Sequence, residues 1–252
     1  MSLEAAVVCQ RGHTERNSRF VKALFGDAPA LNRVPRLYPL GGLRKDGKEV
    51  DVPGRRKEKL FNELGDTVRK ILEKGYPLYR DKKYRKKPDV VIVIWDSDCY
   101  ENLEGLKRKI CSHVPEHYRD KVCVYFAHPE PEIWLLADWD NSFGRRFFST
   151  KKNADNLKKE LVRKGIHFED LERGLVYDKR RKTCVRKISA VLKSAVKNVA
   201  KTRYSKPSDT PRLMEGLDWA KVAGSLPAFR PLYEDWLRKD VGMGQEGRCI
   251  TI

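Results

Sequence analysis

Three places in this chain set carboxylates at or a few residues behind the end of an apolar run, and these are the residues whose types and spacing could do chemistry. Asp96 and Asp98 close the run Val90-Val91-Ile92-Val93-Ile94-Trp95. Glu130 and Glu132 follow Val122-Cys123-Val124-Tyr125-Phe126, and Glu15 follows an apolar stretch over residues 4–10. Carboxylate oxygens are the hard donors that Mg2+ and Mn2+ prefer, and two such ions about 4 Å apart can activate a water and stabilise the leaving oxygen of a phosphodiester. Each acid also has a plainer reading. Asp98 could cap a helix beginning near Tyr100, Asp96 could be a solvated turn acid, and Glu15 could simply favour a helix dipole. What separates the two readings is convergence. Three sets of acids at one edge of one sheet would crowd negative charge at a cost that a cation relieves.

To bring such acids together the chain needs parallel strands. The unbroken Val/Ile run, entered through Pro88 and too short for a typical helix, predicts a strand buried on both faces, which is the habit of a parallel sheet. In an open α/β sheet ligands gather at the carboxyl ends of the strands, and Asp96 and Asp98, one residue apart on extended chain, can point to one side there. Residues 4–10 predict a first strand, followed by a turn at Gly12 and a helix carrying Phe20, Val21, Leu24 and Phe25. Residues 31–42, interrupted by proline, predict a strand at or near an edge. Leu60, Phe61, Leu64, Val68, Ile71 and Leu72 predict a helix over residues 57–74 that stops at Gly75. Leu103, Leu106 and Ile110 space a further helix ending before Pro115, residues 122–126 predict the next buried strand, and Pro131 suits a first helical turn.

From about Asn141 the texture changes. Basic helical patterns run over residues 151–164 and 179–201, the second with Val185, Ile188, Val191, Leu192, Val196 and Val199 on one side, and a last amphipathic stretch covers residues 218–236. The expected organisation is an α/β domain over residues 1–140, its mainly parallel sheet flanked by helices. A helical C-terminal extension over 141–240 and a flexible tail over 241–252 complete it. No internal repeat is visible.

Lys+Arg of 53 against Asp+Glu of 35 gives a net charge of +18 and a pI near 9.7, which favours an anionic polymer such as nucleic acid as partner. The run Tyr79-Arg80-Asp81-Lys82-Lys83-Tyr84-Arg85-Lys86-Lys87 suits phosphate contact and stacking, although it enters the sheet at the end opposite Asp96. The six cysteines, Cys9, Cys99, Cys111, Cys123, Cys184 and Cys249, show no zinc-type spacing, and several lie in apolar strands. Free buried thiols in a reducing, cytoplasmic setting are therefore expected. No apolar stretch is long enough to cross a bilayer and no leader pattern opens the chain, so a membrane is not expected as partner. Glutamine is nearly absent beside abundant Lys, Arg and Glu, a balance seen in heat-adapted proteins. No Gly-x-x-x-x-Gly-Lys loop occurs, so any ATPase would be a separate partner.

Taken in order, Gly12-x-Thr14-Glu15 after a first strand, a hydrophobic strand ending Asp96-x-Asp98, and an acid behind the following strand resemble the Toprim fold. Topoisomerases, bacterial primases and the overcoming-lysogenization-defect (OLD) nucleases share that domain. Glu130-x-Glu132-x-Trp134-x-x-x-Asp138 is similar to the signature of a Toprim-like family of unknown function, and Ser225-Leu226-Pro227-Ala228-Phe229-Arg230 is similar to a segment near that family's end. The resemblance spans most of the chain through short motifs. It implies a Toprim-like domain and Mg2+- or Mn2+-dependent cleavage of DNA or RNA. Asp96, Asp98 and Glu132 would ligate metal, Glu130 would be the fallback for Glu132, and Glu15 would be a further ligand or the general acid/base. Two departures leave the number of metals open. The turn before Glu15 lacks the additional acid that related chains more often carry, and no third acid follows the Asp pair.

Other classes stay open beside it. A non-catalytic nucleic-acid-binding module would keep the acids as a vestigial or regulatory cation site. A nucleotide-sugar transferase also places Asp-x-Asp at a strand end. A phosphatase of the Asp-x-Asp-x-Thr type meets Tyr100 where threonine belongs, and a topoisomerase needs a tyrosine nucleophile in a further domain. A lysine or arginine near the phosphate should bear transition-state charge, but the sequence singles none out.

Overall fold

The computed structural model of the chain describes residues 3–10, 14–29, 31, 36–40, 55–77, 85–172, 177–178, 180, 183–185, 187–200 and 202–238. They fall into two compact units. One comprises the residues up to Trp95, Asn102–Tyr125 and those from Asp235 on; the other comprises Asp96–Glu101 and Phe126–Glu234.

In the first unit β1 (Ala5–Gln10) leads to α1 (Thr14–Phe25), β2 (Arg36–Leu40) and α2 (Arg55–Lys74). A short antiparallel pair, β3 (Tyr76–Pro77) and β4 (Arg85–Lys86), precedes β5 (Val90–Asp96). The helix α3 (Leu103–Ser112), capped by Asn102, leads through a 3-10 turn, Glu116–Lys121, into β6 (Val122–Ala127). The sheet order is β2-β1-β5-β6, with β1 parallel to both of its neighbours, so that Val7 stands between Leu37 and Ile92. Val90 to Trp95 are all buried, which is why β5 reads as an unbroken apolar run rather than an alternating one. The proline-interrupted β2 takes the edge, where a missing N–H is tolerated.

Helix α2 buries Leu60, Phe61, Leu64, Val68, Ile71 and Leu72, and Phe61 stacks on Trp95 with ring centroids 5.1 Å apart. Gly65 inside this helix marks a close approach, because a Cβ there would lie 2.0 Å from the carbonyl oxygen of His113. The mainly parallel α/β sheet with flanking helices and C-terminal helices is thus the fold found.

In the second unit come α4 (Glu132–Ala137), a one-turn π-helix over Phe143–Phe147 and α5 (Lys151–Arg163). An antiparallel pair follows, β7 (Tyr177–Asp178) with β8 (Thr183–Cys184). Then come α6 (Ile188–Ala200), α7 (Lys206–Met214), α8 (Trp219–Ser225) and the three-residue α9 (Arg230–Leu232). Helices α5 and α6 pack together, burying Ala154, Leu157 and Leu161 from one and Val191, Leu192, Ala195 and Val196 from the other. Trp134 packs on Phe229 at 4.9 Å and edge-on to Trp219 at 6.1 Å. Asp138 is fully buried and accepts hydrogen bonds from the Asp218 N–H, the Asn141 amide and the Lys221 ammonium at 2.8, 2.8 and 3.0 Å. Trp134, Asp138 and Phe229, which carry much of the family resemblance, are therefore anchors of this unit.

Three expectations change. The helix read over residues 179–201 begins only at Ile188, because the residues ahead of it pair as β7 and β8, and Val185 is 61% exposed instead of facing the core. The stretch over residues 218–236 is broken into short pieces: α8 stops at Ser225, just ahead of Pro227, and Pro231 sits in the first turn of α9, where a missing N–H is tolerated. Cys99 and Cys184 are not free thiols but a disulfide with Cα atoms 5.1 Å apart, and Cys123 is disulfide-bonded as well, while Cys111 is free and buried and Cys9 is buried. A bond between residues 85 positions apart leaves no local spacing to read. The tail over 241–252 and residues 79–84 of the basic run lie outside the described residues. Among the described residues no helix is long and apolar enough to cross a membrane.

Candidate active site

Where β5 ends at Asp96 the chain turns sharply. Asp98 and Cys99 have φ of 51° and 62°, two successive non-glycine residues in the left-handed region, each costing about 1–3 kcal/mol unless the surroundings hold it. Backbone bonds supply part of that hold. The N–H groups of Ser97, Asp98 and Tyr100 donate to the carbonyls of Ala127, Pro129 and Ser97 at 3.1, 3.2 and 3.1 Å. The Ser97 hydroxyl, 2.6 Å from Nδ1 of His128, and the Cys99–Cys184 bond complete the frame.

Glu130 stands just ahead of α4, and both of its oxygens are engaged. Oε2 accepts the Ser189 N–H at 2.9 Å, while Oε1 accepts the Ser189 hydroxyl at 3.1 Å and the Lys206 ammonium at 3.2 Å. Ser189 lies in the first turn of α6, where backbone N–H groups are unpaired and the dipole favours an anion. Burial opposes ionisation, but the Lys206 charge and these bonds hold the Glu130 carboxyl below its usual range.

Glu132 is the first residue of α4 and fully buried. Its Oε1 accepts the Thr210 hydroxyl at 2.9 Å and the Tyr204 hydroxyl at 3.4 Å. Its Oε2 lies 2.9 Å from the Lys206 ammonium, an ion pair out of hydrogen-bond alignment that leaves this oxygen buried without a hydrogen bond. Burial foremost pushes the Glu132 carboxyl up. Lys206, the first residue of α7, is held charged against burial by Glu132, Asp96 and Glu130.

Asp96 stands at the edge of this network. Burial pushes its carboxyl up to about 7, with Lys206 opposing and with Glu130, Asp98 and Glu132 raising it further. It is half-buried, and no hydrogen bond reaches its carboxylate among the described residues. Asp98 has the Lys187 ammonium 3.8 Å from Oδ1.

The structure thus brings together four of the five acids marked in the sequence, since Asp96 feels Asp98, Glu130 and Glu132 directly. Glu15 is the second residue of α1, and its side chain lies outside the described residues. The donors are all oxygen, which suits a hard cation. As they stand, no group of three His, Cys, Asp or Glu side chains among the described residues is placed to hold a metal ion, and the cation between Glu130 and Glu132 is the Lys206 ammonium. Asp96, whose carboxylate accepts no hydrogen bond from a described group although it feels the Lys206 charge, is the residue that fits an added cation best.

Lys206, Ser189, Thr210, Tyr204 and Lys187 escaped the reading of the sequence. Lys206 carried one signal: followed by Pro207 it opens a helix, where a lysine runs against the dipole unless an acid meets it. Ser189 and Thr210 carried none, their partners lying 59 and 78 residues away.

Compared with protein-family models, with curated proteins and with solved structures, the chain has no match.

Proposed function

We propose that this protein is a metal-dependent nuclease of Toprim-like kind, hydrolysing phosphodiesters of DNA or RNA with Mg2+ or Mn2+. One observation carries the proposal: four carboxylates gather around two ammonium groups, and the excess negative charge falls on Asp96, whose carboxyl is pushed up to about 7. A carboxyl left uncompensated at a cost to the fold is a candidate for an added cation. Asp96 and Asp98 would hold it, with Glu132, or Glu130 in its place, and with Glu15 as a further ligand or the general acid/base. When bound, such an ion polarises the phosphoryl oxygen and lowers the pKa of a water. Among the described residues, Lys187, beside Asp98, and Lys206, within the acid cluster, are positive groups near enough to meet the phosphate. The net charge of +18 supports a polyanionic substrate. A separate ATPase subunit and a cytoplasmic setting belong to the same proposal, and disulfides suit the cytoplasm of heat-adapted cells.

The ammonium of Lys206 among the acids favours a second reading, in which the cluster is neutralised internally and the protein binds nucleic acid without cutting it. One experiment separates the two. Cleavage of single- and double-stranded DNA and RNA is measured with Mg2+, with Mn2+ and with chelator, for the wild type and for Asp96→Asn/Asp98→Asn. Metal-dependent cleavage that falls at least about 100-fold in the double variant supports the nuclease. Salt-sensitive binding without cleavage under every condition supports the binding module. Cleavage that the double variant retains in full removes the acid cluster from the chemistry.

A further inference from the structure

The Cys99–Cys184 disulfide plays no part in the proposal above, yet it lies at the acid cluster. Cys99 directly follows Asp98. Cys184 ends β8, three residues ahead of Lys187, which pairs with Asp98 at 3.8 Å, and five ahead of Ser189, whose N–H and hydroxyl hold Glu130. Both flanks of the cluster therefore meet in one covalent bond. One flank is the turn that carries Asp96 and Asp98, and the other is the start of α6, which orients Glu130 and with it Lys206.

Neither flank is strong by itself. The turn holds two successive non-glycine residues at positive φ, and although aspartate tolerates that region, cysteine has no short polar side chain to help it there. On the other side β8 is two residues long and pairs with a two-residue β7, far short of a self-supporting hairpin. Joined, each holds the other in place.

We propose that the Cys99–Cys184 disulfide is a redox latch on the acid site. Oxidised, it fixes the Asp96–Asp98 turn against the start of α6. Reduced, the turn relaxes and the site loses its grip on a cation. This rests on the cation-binding reading of the same acids. The reductant is a dithiol, and the exchange balances. One of its thiolates attacks one cysteine sulfur and releases the other cysteine, which takes up a proton. Its second thiol then displaces the first cysteine, so that two electrons and two protons pass to Cys99 and Cys184 while the dithiol becomes a disulfide. Cys99 and Cys184 are 2% and 4% exposed, so attack waits on opening of the β7–β8 pair, and the latch releases slowly in the folded protein.

The test uses the full chain in three forms: oxidised, reduced with a dithiol, and Cys99→Ser/Cys184→Ser. The double variant isolates this bond from that of Cys123, which the reductant also opens. Mn2+ affinity is measured by titration calorimetry, and hydrogen exchange is followed on the same samples. The expected result is a loss of Mn2+ affinity of about tenfold or more in the reduced and double-variant forms, the size seen when supporting partners of ligands are removed. In the double variant, faster exchange confined to residues 97–100 and 187–190 should accompany it. A smaller loss of affinity in the double variant overturns the proposal. So does exchange that rises throughout residues 126–234, because the bond would then be a staple of the whole unit. If the oxidised wild type binds no Mn2+, the cation reading fails on its own. Exchange then decides the latch: an effect confined to the turn keeps it, and unchanged exchange removes it.

Discussion

Asp96 carries a charge that the fold itself disfavours, and that gives the residue a measurable signature. Its carboxyl is pushed from 3.8 up to about 7 by burial, so the folded chain holds this proton more tightly than the unfolded one. Folding takes up a proton between pH 4 and 7, stability from this group falls as pH rises through that window, and the full penalty, about 2–4 kcal/mol, is present above pH 7. Asp96→Asn keeps the shape and abolishes the ionisation. In chelator at pH 8 the variant should be more stable than the wild type by about 2–4 kcal/mol in urea unfolding, with the gain shrinking toward pH 4. Added Mn2+ should stabilise the wild type and leave the variant where it was. A variant less stable than the wild type at pH 8 would make Asp96 a structural anchor. Lys206 has the opposite character. Lys206→Met strips Glu130 and the fully buried Glu132 of their shared ammonium and should cost about 3–5 kcal/mol at pH 7. Because the Glu130 carboxyl is held below its usual range, its contribution is present above the unfolded pKa and is lost as pH falls, so the gap between wild type and variant should close in acid.

Among the elements, α2 shows how one backbone contact overrides local preference. Gly65→Ala should gain about 1 kcal/mol of helix propensity, but its Cβ would stand 2.0 Å from the His113 carbonyl, and the shift this forces should leave a net loss of about 1–3 kcal/mol, read as a lower urea midpoint at unchanged slope. Apart from that contact, α2 and β5 were legible because burial wrote itself into their periodicity: a six-residue apolar stripe for the helix and an unbroken run for a strand covered on both faces. The β7–β8 pair was not legible. Strands of two residues have no period, and Val185 beside them matched a helical stripe by coincidence. The acid half of the candidate site could be read because its members sit at the ends of legible strands. The half that pairs with them comes from α6 and α7, and no local pattern says which distant carboxylate Ser189, Thr210 or Lys206 will meet.

For the whole molecule the governing fact is the contrast between a net charge of +18 and a small cluster of excess negative charge around Asp96. A net positive charge attracts a polyanion, while the acids repel its phosphates unless a cation stands between them. Nucleic-acid affinity should therefore rise when Mn2+ is added, and Asp96→Asn/Asp98→Asn should bind more tightly than the wild type in chelator, since it removes the repulsion. The surface part has its own signature. Helix α6 contains no acidic residue, and its Lys193 and Lys197 are exposed. For each phosphate neutralised on duplex DNA, log K falls against log salt with a slope of about −0.9. If both lysines contact the backbone, Lys193→Glu/Lys197→Glu should flatten the slope by about 2 and weaken binding to all sequences alike, while Mn2+ affinity at the acid site stays unchanged. A slope that the double reversal leaves intact would place the contact on another face. A wild-type slope near zero would mean that the +18 serves something other than nucleic acid.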